Sequence, residues 1–92
     1  PVRRDGTTDT GAIKDQPRLT FANLQRAVQA AGGRLDDVTQ VLIYMTDVKD
    51  MPAIDRVYRE FFAAPYPNRS SMGVAGLVVP GMKIEFVAYA VV

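Results

Sequence analysis

The sequence predicts one α+β domain, residues 1–92, in which two helices cover one face of a small sheet. Ninety-two residues fit a single domain with a limited core. Along the chain the spacing of apolar residues is typical of a helix, a strand, a second helix and then two further strands. Because two helices cover only one face of a sheet, we expect the other face to need a different cover.

Two amphipathic segments predict the helices. The first begins at Asp15, which can cap it, and ends at Gly32-Gly33. Its apolar positions follow helical spacing: Phe21, Leu24, Ala27, Val28 and Ala31. The second begins after Asp50, and we expect its charged residues, including Asp55, to face water. Its apolar stripe consists of Met51, Ile54, Val57, Tyr58, Phe61 and Phe62.

Three apolar runs predict the strands: 39–46, 69–78 and 83–92, with a Val-Pro-Gly-Met turn between the last two. The final strand is apolar on both of its faces. One face carries Ile84, Phe86, Ala88 and Ala90, and the other carries Val87, Tyr89 and Val91. In so short a chain the candidate cover for the second face is another copy, so we expect a homo-oligomer.

The composition excludes several classes of function. The chain is 48% hydrophobic and 23% charged, with a net charge of +1, which gives no electrostatic footprint for nucleic acid or membrane. It contains no histidine and no cysteine, so His-dependent triads, thiolate nucleophiles and most zinc sites are unavailable. A disulfide-free domain is compatible with a cytoplasmic location, which we expect.

Two residues are candidates for chemistry. Arg69 opens a strand of small residues and is either a rim charge or a clamp for a carboxylate or small phosphate. Glu85 lies on the second face and either reaches solvent beside Lys83 or acts as a general acid–base. A strand from Arg69 to Val78 would separate the two by about 30 Å, so we expect them to meet only between subunits.

The terminal residue offers an alternative. A free N-terminal proline, Pro1, could act as the base of a small trimeric tautomerase. The following residues lack the alternating strand that such enzymes place after their proline, which disfavours this reading.

Three segments together resemble the RidA/YjgF family of reactive-intermediate deaminases: "LTFANLQRAVQAAGGRLDDVTQVLIYMTDVKDMPAIDRVYREFF", "YPNRSSMGVAGL" and "KIEFVAYAVV". The distinctive parts are "AAGGRLDDV", the Thr46-Asp47 strand end, "VYREFF", "P-x-R-S" and the final "K-I-E". The resemblance covers nearly the whole chain and implies a chorismate-mutase-like fold with a mixed sheet, assembled as a homotrimer with three intersubunit clefts.

The family resemblance also implies an activity. Members hydrolyse enamine and imine intermediates such as 2-aminoacrylate and 2-iminobutanoate to 2-keto acids and ammonia, without a cofactor. Arg69 matches the arginine that grips the substrate carboxylate, Ser71 falls where the family backbone contacts the ligand, and Glu85 matches the glutamate that positions or activates water.

Two departures from the family pattern bear on the site. Asp55 is one of the expected substrate-binding residues and stands near the cleft where many members carry asparagine; the aspartate either adds an unfavourable negative charge there or is simply tolerated. Pro1-Val2 resembles the end of the family's "S-G-Q-x-P" segment, so we expect the family's N-terminal hairpin to be missing from these residues.

The sequence leaves two other functions open. The same cleft could bind 2-keto acids or other small carboxylates without catalysis, as a sensor or binding module. RNA cleavage is attributed to some family members, but the chain has no histidine pair, basic stripe or exposed aromatic platform for it.

Overall fold

A computed structural model describes residues 2–7, 11 and 15–92 and confirms the predicted α+β class and element order. Its helices and strands are α1 (Asp15–Ala30), β1 (Val38–Met45), α2 (Met51–Phe61), β2 (Asn68–Gly73) and β3 (Ile84–Ala90). Short 3-10 helices at 35–37 and 48–50 precede β1 and α2. Within the described residues, no helix has the length and apolar character needed to span a bilayer.

The sheet is mixed, and β1 is its central strand. The strand order is β2-β1-β3, with β2 parallel to β1 and β3 antiparallel to it. The crossover through α2 returns the chain to the start of β1, which is why β2 runs parallel. The predicted strand over 69–78 is therefore wrong at its end, because β2 stops at Gly73 and residues 74–83 pass around the end of β1 to reach β3.

Both helices pack on one face of the sheet and form the core there. The buried side chains of this face are Val41, Ile43, Met45 and Ile84, each at most 2% exposed. From α1 they meet Phe21, whose ring lies 4.2 Å from that of Phe86 and 5.7 Å from that of Tyr58, centroid to centroid. The predicted α1 stripe is correct at Phe21 and Val28, but Ala27 and Ala31 are exposed, so the buried stripe is narrower than predicted.

A buried glutamine joins α1 to the loop before β3. Gln16 is 0% exposed, and its Nε2 donates to the carbonyl oxygens of Gly11 at 2.9 Å and Gly81 at 3.2 Å. Its Oε1 accepts a hydrogen bond from the Lys83 N–H at 2.7 Å. A buried amide needs such partners, so this side chain holds the end of the 74–83 connection against the start of α1.

The opposite face of the sheet has no helix over it. The register with β1 places Leu42 beside Val87, and Tyr44 beside Glu85, on this open face. Val87 is 37% exposed and Tyr89, farther along β3, is 55% exposed. The predicted uncovered apolar face is therefore present in the subunit.

Candidate functional site

Arg69 lies on the edge strand and points towards α2. It pairs in register with Val41, a residue buried beneath the helices, so its side chain leaves the sheet on the helix-covered face. Because β2 is the edge strand there, the guanidinium reaches the margin of α2 and stays partly accessible, with its side chain 29% exposed. Arg69 therefore sits at the rim of the core, where a ligand can approach it.

Asp55 of α2 is the counterion of Arg69. Arg69 Nη1 donates to Asp55 Oδ1 at 2.8 Å, and Arg59 Nε donates to Asp55 Oδ2 at 2.9 Å. These hydrogen bonds, first from Arg69 and then from Arg59, hold the pKa of the Asp55 carboxyl below its usual value. The expectation that Asp55 faces water is only partly right: its side chain is 28% exposed, and its two oxygens accept hydrogen bonds from the two guanidinium groups.

Tyr58 forms the floor beneath the Arg69 guanidinium. The Arg69 Cζ lies 4.6 Å from the centre of the Tyr58 ring, a cation–π distance. Tyr58 is 3% exposed, and its hydroxyl has no hydrogen-bond partner among the described residues. Burial raises the pKa of this phenol, so it stays protonated and can donate a hydrogen bond.

These side chains enclose a pocket of about 170 Å³. Its lining consists of Asp55, Tyr58, Arg59, Tyr66, Pro67 and Arg69. We call this the Arg69 pocket. Its two arginines and one aspartate leave one positive charge in excess, and the size suits a small anionic or zwitterionic molecule.

The other two predicted site residues lie outside this pocket. Glu85 is exposed on the open face, in register with Tyr44, and has no ion pair or side-chain hydrogen bond with a described residue. Ser71 follows Arg69 by two positions on β2, so it shares the helix-covered face, and it is exposed at the sheet edge. The structure therefore brings Arg69 and Asp55 together but leaves Glu85 apart from them.

The predicted separation of Arg69 and Glu85 is too large, although they do not touch within one subunit. Both strands flank β1, and the register offsets Arg69 from Glu85 by three residues along β1 and by two strand spacings. That gives about 14 Å between their Cα atoms rather than about 30 Å. The two side chains also leave opposite faces of the sheet, which the prediction did not anticipate.

Two further residues, Pro1 and Gly73, bear on how the sequence relates to this region. Pro1, the candidate terminal base, lies outside the described residues. Gly73 packs closely against the 48–50 turn, because a Cβ there would stand 2.7 Å from Cγ1 of Val48. A larger residue would require the Val48 side chain to move.

Sequence reasoning missed three members of the Arg69 pocket: Tyr58, Arg59 and Tyr66. Tyr58 was assigned only to the apolar stripe of α2, although its hydroxyl was a signal that one end needs a polar neighbour. Arg59 lies four residues after Asp55, a spacing that predicts an ion pair on one helix face. No comparable signal places Tyr66, which reaches the pocket from the loop before β2.

The chain belongs to the RidA/YjgF family. The family model that matches it carries the description endoribonuclease L-PSP, and the match extends over residues 1–92. A relative named 2-iminobutanoate/2-iminopropanoate deaminase, from the mite Dermatophagoides farinae, is 43% identical over 68 residues. That match covers 74% of this chain and 53% of the mite protein, so the chain spans about half of that relative's length.

Solved structures of the family share the fold. The crystal structure of RidA from an Antarctic Psychrobacter superimposes with a TM-score of 0.84 at 30% identity, covering 91% of this chain and 67% of that one. The crystal structure of Escherichia coli TdcF with bound serine gives a TM-score of 0.85 at 36% identity, covering 94% and 68%. The chorismate-mutase-like arrangement of sheet and helices expected from the resemblance is therefore confirmed.

Proposed function

We propose that this chain acts in the hydrolytic deamination of small 2-imino and 2-enamino acids, such as 2-iminobutanoate and 2-aminoacrylate. The observation that carries the proposal is that the Arg69 guanidinium lines a pocket of about 170 Å³. Of the three guanidinium nitrogens of Arg69, only Nη1 donates a hydrogen bond to a described residue. Its other N–H groups can hold a ligand carboxylate in the fork geometry that arginine favours. The name of the mite relative supports imino acids as the substrate class.

The reaction needs little from the protein besides position and one proton-transfer group. The imine is the tautomer of the enamine and has an electrophilic carbon. Water adds its oxygen to that carbon, the C–N bond breaks, and ammonia leaves as the 2-keto acid forms. Fixing the carboxylate on Arg69 holds the carbon in place, and a carboxylate such as Glu85 can accept the proton of the attacking water.

Glu85 can take this part only in an assembly, which we propose is a homotrimer. It lies on the open apolar face, about 14 Å by register from Arg69 of the same subunit and on the other side of the sheet. An interface formed by that face would carry Glu85 to a neighbouring subunit. Burial of Val87 and Tyr89 would stabilise such an interface.

The test is the rate at which freshly generated 2-iminobutanoate disappears. The unmodified protein should accelerate its loss, and both Arg69→Ala and Glu85→Gln should remove most of the acceleration. Arg34→Ala is the matched control, since Arg34 pairs with Asp36 on an exposed surface away from the pocket. A folded oligomer that leaves the imine at its spontaneous rate would contradict the proposal and favour a carboxylate-binding module.

A further inference from the structure

The Asp55–Arg69 pair presents opposite charges side by side to a ligand in the Arg69 pocket. Each oxygen of the Asp55 carboxylate accepts one hydrogen bond from a described arginine, Oδ1 from Arg69 and Oδ2 from Arg59. A carboxylate oxygen has two lone-pair directions, so each can accept one hydrogen bond more. The pocket therefore offers guanidinium N–H donors next to an acceptor that carries a full negative charge.

The imino acid substrate and the 2-keto acid product of the proposed reaction differ only at the position next to their shared carboxylate. The imino acid and its enamine tautomer carry nitrogen with N–H bonds there, and the protonated imine is cationic. The 2-keto acid carries a carbonyl oxygen, which only accepts hydrogen bonds. An ionised carboxylate beside that position attracts the N–H group of the imino acid and repels the carbonyl oxygen of the 2-keto acid.

We propose that Asp55 is a specificity-determining residue that makes the Arg69 pocket prefer an imino or amino acid over the 2-keto acid of the same carbon skeleton. This role rests on the proposed function, because it names the ligand that the same pocket selects. Arg69 would hold the carboxylate common to both molecules, and Asp55 would accept the N–H of the nitrogen. An amide at position 55 could either donate or accept, and it would not distinguish them.

Two further observations support this arrangement. The pairing of Asp55 with Arg59 and Arg69 lowers its pKa, so the group is an acceptor at neutral pH and has no proton to donate to a ketone. Independently, Tyr58 is 3% exposed, lines the same pocket, and its hydroxyl has no partner among the described residues. A buried hydroxyl without a partner is costly, and a hydrogen bond to a ligand or an ordered water would offset that cost.

The experiment compares two stable ligands with the same skeleton, L-2-aminobutanoate and 2-oxobutanoate. The amino acid represents the cationic nitrogen of the substrate, and the keto acid is the product itself. Dissociation constants are measured by calorimetry for the unmodified protein, for Asp55→Asn and for Asp36→Asn. Asp36 is the matched control because it also pairs with an arginine, Arg34, at 2.8 Å, but its side chain is 75% exposed and lies outside the pocket.

We expect the unmodified protein and Asp36→Asn to bind the amino acid more tightly than the keto acid. Asp55→Asn should lower that preference by roughly tenfold or more, because one charged hydrogen bond is lost and one repulsion is removed. If Asp55→Asn tightens both ligands equally, Asp55 only competes for Arg69 and the inference is wrong. It is also wrong if the preference is unchanged, or if neither ligand binds the unmodified protein at millimolar concentration.

The ligand preference and the imine hydrolysis can each be present or absent independently, so the two proposals are tested separately. Loss of the preference in Asp55→Asn without any imine hydrolysis by the unmodified protein would contradict the deaminase and keep the selectivity. Imine hydrolysis by the unmodified protein, with the same ligand preference in Asp55→Asn, would support the deaminase and contradict the selectivity role of Asp55. If both hold, 2-oxobutanoate should inhibit hydrolysis more strongly in Asp55→Asn, by the same factor by which its binding tightens.

Discussion

The two faces of the sheet are built from similar apolar residues but reach opposite outcomes within one subunit. On the helix-covered face Val41 and Ile43 are 0% exposed, whereas on the open face Val87 and Tyr89 are 37% and 55% exposed. The difference lies in what covers them, since the chain has two helices and both pack on the same side. The covered face therefore stabilises the subunit, and the open face remains available to stabilise an assembly.

The largest expected effect separates these two roles. Ile43→Ala removes a fully buried side chain beneath the helices and should lower the free energy of unfolding by about 2–5 kcal/mol. Val87→Ala, a truncation on the open face, should have a smaller effect that grows with protein concentration. Both are measured by urea denaturation at several concentrations. Equal, concentration-independent losses would contradict the division between the faces.

A charge on the open face should act on assembly. Val87→Asp would bury an unpaired carboxylate in the proposed interface, a change that costs about 2–4 kcal/mol or more. Sedimentation should then show subunits where the unmodified protein shows trimers. Val48→Asp is the control, because Val48 is 65% exposed and lies off the sheet. An unmodified protein that sediments as a monomer would refute the trimer directly.

A smaller effect is expected from the hydrogen bonds of Gln16, which join α1 to the loop before β3. Gln16→Leu keeps an apolar side chain of similar size but leaves the Lys83 N–H and the Gly81 carbonyl without their partner. The free energy of unfolding should fall by about 1–3 kcal/mol. Gln29→Leu, at an exposed position of α1, is the comparison and should change it by less than about 0.5 kcal/mol. Thermal unfolding of the two variants decides whether the contact matters.

The smallest effect at neutral pH is expected at Tyr58. Tyr58→Phe removes a hydroxyl that has no partner among the described residues, so no hydrogen bond is lost and the free energy of unfolding should stay constant or rise by about 1 kcal/mol. Burial raises the pKa of this phenol above 10.0, so its contribution to stability is present below pH 10 and is lost as pH rises through the raised value. Unfolding followed from pH 9 to 12 should therefore show a steeper loss in the unmodified protein than in Tyr58→Phe. Parallel curves would mean that the phenol titrates normally.

The fold could be predicted from the sequence because its signals are local. Helical spacing located α1 and α2, and the apolar runs located the three strands to within a few residues, apart from the end of β2. That end was misjudged because the small and apolar residues after Gly73 continue the composition of a strand, while the chain there has already passed the end of β1. Strand order was not predictable, since pairing depends on the crossover through α2.

The site was predicted one residue at a time but not as an arrangement. The sequence predicts both Arg69 and Asp55 as site residues, but it does not predict that they pair, with Arg69 Nη1 2.8 Å from Asp55 Oδ1. Helix periodicity predicts which side chains of α2 face the core. It does not predict which residue of β2 lies beside the margin of α2. The sequence pattern correctly places Glu85 on the second face, but it does not specify which face Arg69 takes, because that depends on the register of β2 after the crossover.

The position of the Asp55–Arg69 pair in the chain has a kinetic consequence. The two residues are only 14 positions apart, and both belong to the crossover from β1 through α2 to β2. Closing a loop of that length costs little entropy, so the pair can form early in folding and without a second subunit. A dissociated subunit should therefore still recognise its ligand, and dilution should abolish turnover at concentrations where recognition persists.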